Sequence, residues 1–531
     1  MNSNWWSKVY TPIILAMIFV VGMSVGRHFF GGGVLYSPAE NGKIEQILRY
    51  IEKDYVDSIN RADMEKKAIE DLIDDLDPHS SYITQEDYHQ VNDPLMGNFD
   101  GIGIQFRMIR DSLTIMLALE GGPSIKAGLK AGDKIIIADG DTIAGHKMTS
   151  NDIIKRLKGP RGSEVEIKIY RSRVDSLLTF NITRDKIPTY SLDASFMVNE
   201  SLGYIKISRF SATTIKEFDL AMARLIANGL QSLILDLRGN SGGFLRAAIE
   251  MSDTFLEKEK LIVYTKGKNR PEKKYFAMDD GVFEEGSLLI LIDENSASAS
   301  EIVAGAVQDN DRGNIMGRRS FGKGLVQEQM EFNDGSALRL TVARYYTPTG
   351  RSIQRPYENG KEAYYADHYH RMIDDMNPQN DSLSQPKDST EYITPKGKIL
   401  YGGGGIMPDF EISLDTSFNY YLYNRLLRNS IIVEYGIDYY NQHPEIFDVY
   451  VDLEEFAQKY QPEHQIYQQI IQAGKDQDLK ITDKEIRDNK SLVLTTFKSE
   501  IARLIYGEKA YYYVYLQEDK IYKEAVLKMM E

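Results

Sequence analysis

A chain of 531 residues is too long for one ordinary core and implies roughly two to four domains. Its 42% hydrophobic and 27% charged residues are a globular composition, and a formal net charge of -15 argues against non-specific nucleic-acid binding, which needs clustered cations. Without a single cysteine there are no disulfides, no thiol catalysis and no thiolate metal sites, although the compartment stays open.

At the N-terminus no residue from 10 to 25 is charged. Lys8 precedes the run, Trp5 and Trp6 stand where an interfacial aromatic pair would, and Arg27 and His28 follow before Phe29 and Phe30. The length suits a signal segment or a slightly short membrane anchor. Ser24 and Gly26 make a poor cleavage pair, so an uncleaved anchor within 1–35 is expected, with the bulk of the chain exported.

Residues 41–95 read as a helical region, with Ile44, Ile47, Leu48 and Ile51 at helical spacing, then Ala68, Ile69, Leu72, Ile73 and Leu76. Leu76-Asp77-Pro78-His79-Ser80 stops that pattern. Over 96–186 the chain changes to short strands and glycine turns, including a strand, an Asp139-Gly140 turn and a second strand, with a short helix over 151–157. From 187 to 412 it reads as α/β. Compact apolar runs at 202–207, 232–237, 261–264 and 288–292 suit buried strands, with helices over 214–228, 244–256 and 299–309 between them. Two long strands over 324–346 meet at Asn333-Asp334-Gly335, and the polar stretch 356–398 reads as a mobile insertion. Residues 413–531 are rich in Tyr and helical in rhythm, without a chemical motif.

Four segments carry candidate chemistry. In Asn295-Ser296-Ala297-Ser298-Ala299-Ser300-Glu301, a strand runs into a helix and Ser298 stands at the helix's positive end, where free N–H groups can meet an oxyanion. The same letters fit a plain capping box, Ser298 with Glu301. Lys323, between Gly322 and Gly324, would act as a base only if burial lowered its pKa; Gln327, four residues on in a strand, shares its face and can hold the amine without adding charge. Otherwise Lys323 is a solvated turn residue, and spacing alone does not decide.

The third segment, Asp236-Leu237-Arg238-Gly239-Asn240-Ser241-Gly242-Gly243, lets the backbone approach a ligand closely and offers N–H donors. It also matches the nucleophile-elbow pattern G-x-S-x-G, which would make Ser241 the nucleophile with His368 or His370 as base. The fourth, Gly101-Ile102-Gly103-Ile104, can present consecutive N–H groups to a peptide carboxylate, beside a strand edge that takes the peptide by β-augmentation. An ordinary hairpin-rich β domain would read the same way. There is no metal-site pattern, and His368 and His370 lack a third ligand.

In order along the chain, these segments resemble the C-terminal processing peptidase (tail-specific protease) family over 41–412. The resemblance is carried by Leu76-Asp77-Pro78-His79-Ser80-Ser81-Tyr82; by Gly101-Ile102-Gly103, Gly122-Pro123-Ser124, Ala127-Gly128-Leu129 and Gly132-Asp133; and by Leu235-Asp236-Leu237-Arg238 with Gly242-Gly243. Ser296 to Glu301, Gly322-Lys323-Gly324, Thr347-Pro348-Thr349-Gly350-Arg351-Ser352-Ile353-Gln354 and Gly405-Ile406-Met407-Pro408-Asp409 complete it. The resemblance implies a crotonase-like or ClpP-like α/β protease core over 187–412, a PDZ-like β domain inserted in front of it over 96–186, a helical N-terminal region and a C-terminal helical extension.

It further implies a serine endopeptidase in which Ser298 is the nucleophile, Lys323 the base and Gln327 its support. The N–H groups of Gly243 and Ala299 would form the oxyanion hole, Arg238 and Glu301 would be structural, and Gly101, Ile102, Gly103 and Ile104 would receive the substrate's C-terminus. No metal or organic cofactor is required. The implied partners are polypeptides with apolar C-terminal tails and the membrane, through the anchor; a homo-oligomer stays open. The implied place is the cell envelope, anchored in the inner membrane with the catalytic domain outside the cytoplasm. Two features depart from the family: Ser241 stands where Pro is frequent, and 356–398 and 413–531 exceed the usual core. A non-catalytic PDZ adaptor and an esterase using Ser241 remain as rival readings.

Overall fold

The computed structural model describes residues 42–531 apart from 110, 111, 120, 146, 147, 172, 173, 375–389 and 414–419, and before 42 only residues 10, 14 and 16–19. The anchor expected within 1–35 thus lies almost wholly outside the described residues. Among those described, no helix is long and apolar enough to cross a membrane.

Two compact units divide the chain, Met1–Ile73 and Asp74–Glu531. In the first, Arg61 donates to Glu52 at 2.8 Å and to Glu45 at 3.0 Å, tying its own helix to helix Lys43–Asp54.

The second unit begins with the Asp77-Pro78-His79-Ser80 turn, which leads into strand Ser81–Ile83 and helix Gln85–Met96. Thr84 caps that helix by accepting the Asp87 N–H, and Gly97 ends it in the left-handed region at φ 71°. A β domain follows. Its sheet runs Ile104–Ile109, Ser112–Ala118, Lys134–Ala138, Glu164–Arg171, Ser176–Thr183 in neighbouring order, antiparallel throughout. Strand Glu164–Arg171 shows why: Val165, Ile167 and Ile169 are buried in the domain's core while Glu164 and Glu166 point out, the period of two expected for a half-covered sheet. The chain enters by Asn98–Gly101 and leaves by Asp185–Pro188, and these two segments pair with each other, so the domain hangs from a two-stranded stalk as an insertion should.

Beyond it stands a six-stranded sheet in the order Leu192–Met197, Leu202–Ile207, Ser232–Asp236, Ser287–Ile292, Asn314–Gly317, Phe410–Glu411, parallel except for the first pair. Both faces are covered, which explains the unbroken apolar runs. Leu233, Leu235, Ile290 and Ile292 face the core shared with helices Thr214–Ala227, Leu245–Asp253 and Ala299–Asp309. Ile234, Leu289 and Leu291 face the other way, against Leu516, Ile521 and Ala525 of the C-terminal extension.

One apolar run expected among the buried strands joins a different sheet. Leu261–Lys266 pairs antiparallel with Lys273–Phe276 and with Ala337–Tyr346, which in turn pairs with Ser81–Ile83 and Leu325–Glu331. Strands Leu325–Glu331 and Ala337–Tyr346 are the expected long ribbon, turning at Gly335. The stretch expected to be a mobile insertion contains helix Lys361–Asp374, whose Tyr364 is 2% exposed. Its polar letters conceal a single inward stripe, Tyr364, His368 and Arg371, at helical spacing. The final region is a bundle with its own aromatic core, including Phe447, Phe456, Tyr460 and Phe497, built around helix Lys490–Tyr506.

Candidate active site

Strand Ser287–Ile292 ends in a turn that delivers Ser298 to the start of helix Ala299–Asp309. Ser296 Oγ donates to the Leu237 carbonyl at 2.9 Å, Ala297 N–H to the Asn240 carbonyl at 3.0 Å and Ser300 Oγ to the same carbonyl at 2.8 Å. These bonds fasten the serine turn to the glycine turn of the neighbouring strand. Ser298 itself lies at φ 55°, ψ −111°, a conformation that costs a residue with a Cβ of order 1–3 kcal/mol. Such strain persists where surrounding structure imposes it, and it points Ser298 away from ordinary capping. The capping-box pairing exists in outline: Ser298 N–H donates to Glu301 Oε2 at 2.8 Å. Glu301 N–H also donates to the Ser298 carbonyl at 2.9 Å.

In the glycine turn, Gly242 and Gly243 have φ 101° and 146°. A Cβ on Gly243 would stand 1.9 Å from the Phe210 carbonyl oxygen, and one on Gly242 2.8 Å from Ser298 Cβ, so both glycines are required by close approach. Among the described residues neither the Gly243 nor the Ala299 N–H donates to any acceptor. Below the turn, Asp236 is buried with Tyr204, Lys206 and Arg238 around it. Burial pushes its carboxyl up, but Arg238 and Lys206 outweigh that and hold it well below the usual range. Arg238 also donates to both oxygens of Asp519 at 2.9 Å, so the C-terminal extension grips the same turn.

Lys323 is brought to Ser298 through a third party. Glu301 is fully buried; its Oε2 accepts both Ser298 N–H at 2.8 Å and Lys323 N–H at 2.9 Å, and its Oε1 accepts Gly322 N–H at 2.7 Å and Ser320 Oγ–H at 2.5 Å. Tyr345 repeats the link from the other side, its hydroxyl lying 3.1 Å from the Ser298 carbonyl and 2.7 Å from the Lys323 carbonyl. Lys323 Nζ donates to Gln327 Oε1 at 3.0 Å, and Gln327 Nε2 donates to the His79 carbonyl at 2.5 Å. Burial, aided by the charge of Arg339, brings the Lys323 amine down to about 8, against weaker opposition from Asp77 and Glu301. His79 is held neutral, its pKa pushed down to about 3 by burial and by Lys323. No hydrogen bond closes directly between Ser298 Oγ and Lys323 Nζ among the described residues; such bonds are often long before substrate binds. Both residues open, with Gly243 and Ala299, onto one cavity of about 2630 Å³.

The alternative constellation is not assembled. Ser241 is exposed and lines this cavity, but His368 and His370 do not. His368 lies in helix Lys361–Asp374 with its ring 4.9 Å from that of Phe321, and burial brings it to about 4. In the β domain, Gly101 ends its strand, Ile102 and Gly103 form a loop, and Ile104 opens the edge strand of the sheet. Gly103 has φ 75°, the Ile102 carbonyl accepts from Ser124 N–H and Oγ–H, and among the described residues the N–H groups of Ile102 and Gly103 donate to nothing. No group of three or more His, Cys, Asp or Glu side chains able to hold a metal ion occurs among the described residues.

Sequence reasoning missed His79, Asp77 and Tyr345. The 76–82 motif reads as a helix stop, yet Asp77 folds it, accepting from His79 N–H, Ser80 N–H, Ser80 Oγ–H and Thr341 Oγ1–H, so that the His79 carbonyl faces Gln327. A backbone carbonyl leaves no letter in the sequence; only the compactness of Asp77-Pro78-His79-Ser80 hinted at a built turn.

Comparison with known proteins gives the family. Residues 201–359 match peptidase family S41, residues 101–185 match the PDZ domain, and residues 422–507 match a family of unknown function, DUF8443. The chain is 36% identical over 313 residues to the carboxy-terminal-processing protease of Bartonella bacilliformis, covering 58% of this chain and 71% of that protein. It is 34% identical over 316 residues to carboxy-terminal processing protease CtpB of Bacillus subtilis, covering 59% of this chain and 65% of that one. Among solved structures, the photosystem II D1 C-terminal processing protease is 27% identical over 59% of this chain and 83% of its own, with a TM-score of 0.34, too loose a superposition to argue from. The chain belongs to peptidase family S41, the carboxy-terminal processing serine proteases, and carries a PDZ domain.

Proposed function

We propose that the protein is an endopeptidase that cuts exported polypeptides at or near their C-terminal tails, using Ser298 as nucleophile and Lys323 as general base. The observation that carries this reading is the single buried carboxylate of Glu301, which takes the backbone N–H of both residues and so fixes their spacing. Neutral Lys323 removes the Ser298 proton as Oγ attacks the scissile carbonyl. The N–H groups of Gly243 and Ala299 stabilise the oxyanion, and protonated Lys323 then gives its proton to the departing amine. Water attacks the resulting acyl-enzyme, with Lys323 again as base. Gln327 accepts from the amine and keeps it aimed without changing the local charge.

In the same reading, the loop Gly101 to Ile104 takes a substrate's terminal carboxylate and the strand beside it takes the apolar tail. The crotonase- or ClpP-like label for the core, and an exported, membrane-held location, belong to this proposal as well. The first is supported by the parallel sheet with helices packed on it, the second by the uncharged run over 10–25.

The test is cleavage of an unfolded protein with an apolar C-terminus by the chain lacking residues 1–35 and by its Ser298→Ala variant. Cleavage lost only in the variant supports the reading. Equal cleavage in both, or covalent labelling at Ser241 by a serine-directed reagent, would overturn it, and binding without cleavage would favour an adaptor.

A further inference from the structure

The cavity that holds Ser298 and Lys323 also contains Arg339, a cation whose charge helps lower the Lys323 amine but to which the proposed steps give no contact with substrate. Strand register places it. Gln327 lies opposite Thr341, and Gln329 lies opposite Arg339, so the Gln329–Arg339 pair shares a face of the ribbon with Gln327 one repeat along, about 7 Å from the support of the catalytic amine. The Arg339 guanidinium donates to the side-chain oxygens of Gln329 at 3.0 Å and Asn92 at 3.3 Å. Both partners are neutral amides, which aim the group and leave its charge unbalanced.

Some other cations of the cavity wall are matched by acids, and Lys155, Lys186 and Lys273, which among the described residues are not, are exposed to solvent. Lys158 pairs with Asp93 at 2.7 Å and Arg270 with Glu328 at 2.6 Å. Among the described residues Arg339 has no carboxylate partner, and partial burial already disfavours its charge. A half-buried guanidinium with amide partners only, opening on a peptide-sized cavity, is a site that lacks its anion. Glu331 accepts from the Tyr88 hydroxyl and Asp93 from Lys158, and neither is bonded to Arg339.

The direction of the chain says which anion fits. Lys323 protonates the departing amine, so the released segment begins beside Lys323, and Arg339 stands on the ribbon that leads away from it. Two extended residues cover about 7 Å, and a side chain's reach adds about as much again.

We infer that Arg339 receives the free α-carboxylate of the released segment when the bond to be cut lies about two to four residues from the substrate's C-terminus. This rests on the Ser298–Lys323 reading and deepens it: the site would gauge how short a tail is removed, separately from the PDZ loop.

The test uses peptides with one common half before the scissile bond and tails of two to ten residues after it, each as free acid and as amide. The wild-type chain is expected to favour the acid over the amide by about 10-fold in kcat/KM at tails of two to four residues. In Arg339→Gln that ratio falls to near one, and Arg339→Lys keeps part of it. Because the ratio compares two substrates on one enzyme, a change in Lys323 basicity or in folding cancels. An acid preference at longer tails, carried by the Gly101 to Ile104 loop, survives the substitution. An acid-to-amide ratio unchanged in Arg339→Gln at short tails overturns the inference. Binding of the short tail peptide alone to Ser298→Ala, as acid and amide, with and without Arg339→Gln, distinguishes the same two outcomes even if no peptide is cut, so failure of the protease reading stays separate.

Discussion

The serine and lysine halves of the site are made by different means. Ser298, Ala299 and Gly243 lie at the ends of neighbouring parallel strands, and three short local bonds between two turns place them. Lys323 sits in a loop whose shape comes from distant segments: Glu301, Tyr345, Gln327 on the ribbon, and His79 from a turn far back in the chain. A nucleophile can be built by backbone geometry, but a lysine base needs desolvation, and only assembled tertiary structure supplies that. Damage to the serine half should therefore remove transition-state contacts, and damage to the lysine half should move a titration.

The largest effect that would sharpen this contrast is at Gly243. Its Cβ would collide with the Phe210 carbonyl, so Gly243→Ala displaces the N–H proposed as an oxyanion donor. Activity should fall about 10²–10³-fold in kcat with little change in KM, read by steady-state kinetics on a soluble peptide. A change confined to KM would mean the glycine turn binds substrate rather than the oxyanion. On the lysine side, Gln327→Ala should cost about 10-fold in kcat and shift the ascending limb of the pH profile, which follows loss of the Lys323 proton.

The contrast also governs what the sequence discloses. The serine turn, the glycine turn and the ribbon with its Gly335 bend are written in contiguous letters, because strand-to-helix turns and hairpins need Gly, Ser and Asp at fixed places. Leu261–Lys266 was legible as a strand but not as a member of the second sheet, since an apolar run does not name its neighbour. Helix Lys361–Asp374 was hidden because polar and aromatic letters mask a one-sided stripe. Neither the His79 carbonyl nor the Arg238–Asp519 pair could be read, one being backbone and the other joining residues on separate domains.

That ion pair offers a smaller effect. Asp519→Asn weakens a bidentate contact to the glycine turn while Arg238 keeps Asp236. Stability should drop by about 1–3 kcal/mol in urea unfolding, with kcat reduced only about threefold. A loss of activity as deep as that of Gly243→Ala would show that the C-terminal extension positions the turn more tightly than the geometry suggests.

Smallest is a gain in stability. The Lys323 amine titrates near 8 in the folded chain against an ordinary 10.5. Between those values the unfolded chain holds more protons, so stability rises with pH across that window and the burial penalty is fully present below pH 8. Lys323→Met should therefore stabilise the protein by on the order of 1 kcal/mol at pH 7, with the gain fading toward pH 10.5. Equal gains at both pH values would place the lysine in water rather than in the site.

The dyad itself is tested by the pH dependence of covalent labelling of Ser298 by a serine-directed reagent, with the modified residue located by peptide mapping in the wild-type chain and in Lys323→Ala. Labelling at Ser298 should rise through pH about 8 in the wild-type chain and be lost in Lys323→Ala. Labelling at Ser241, or labelling of Ser298 that ignores both pH and Lys323, would contradict a Ser298–Lys323 dyad.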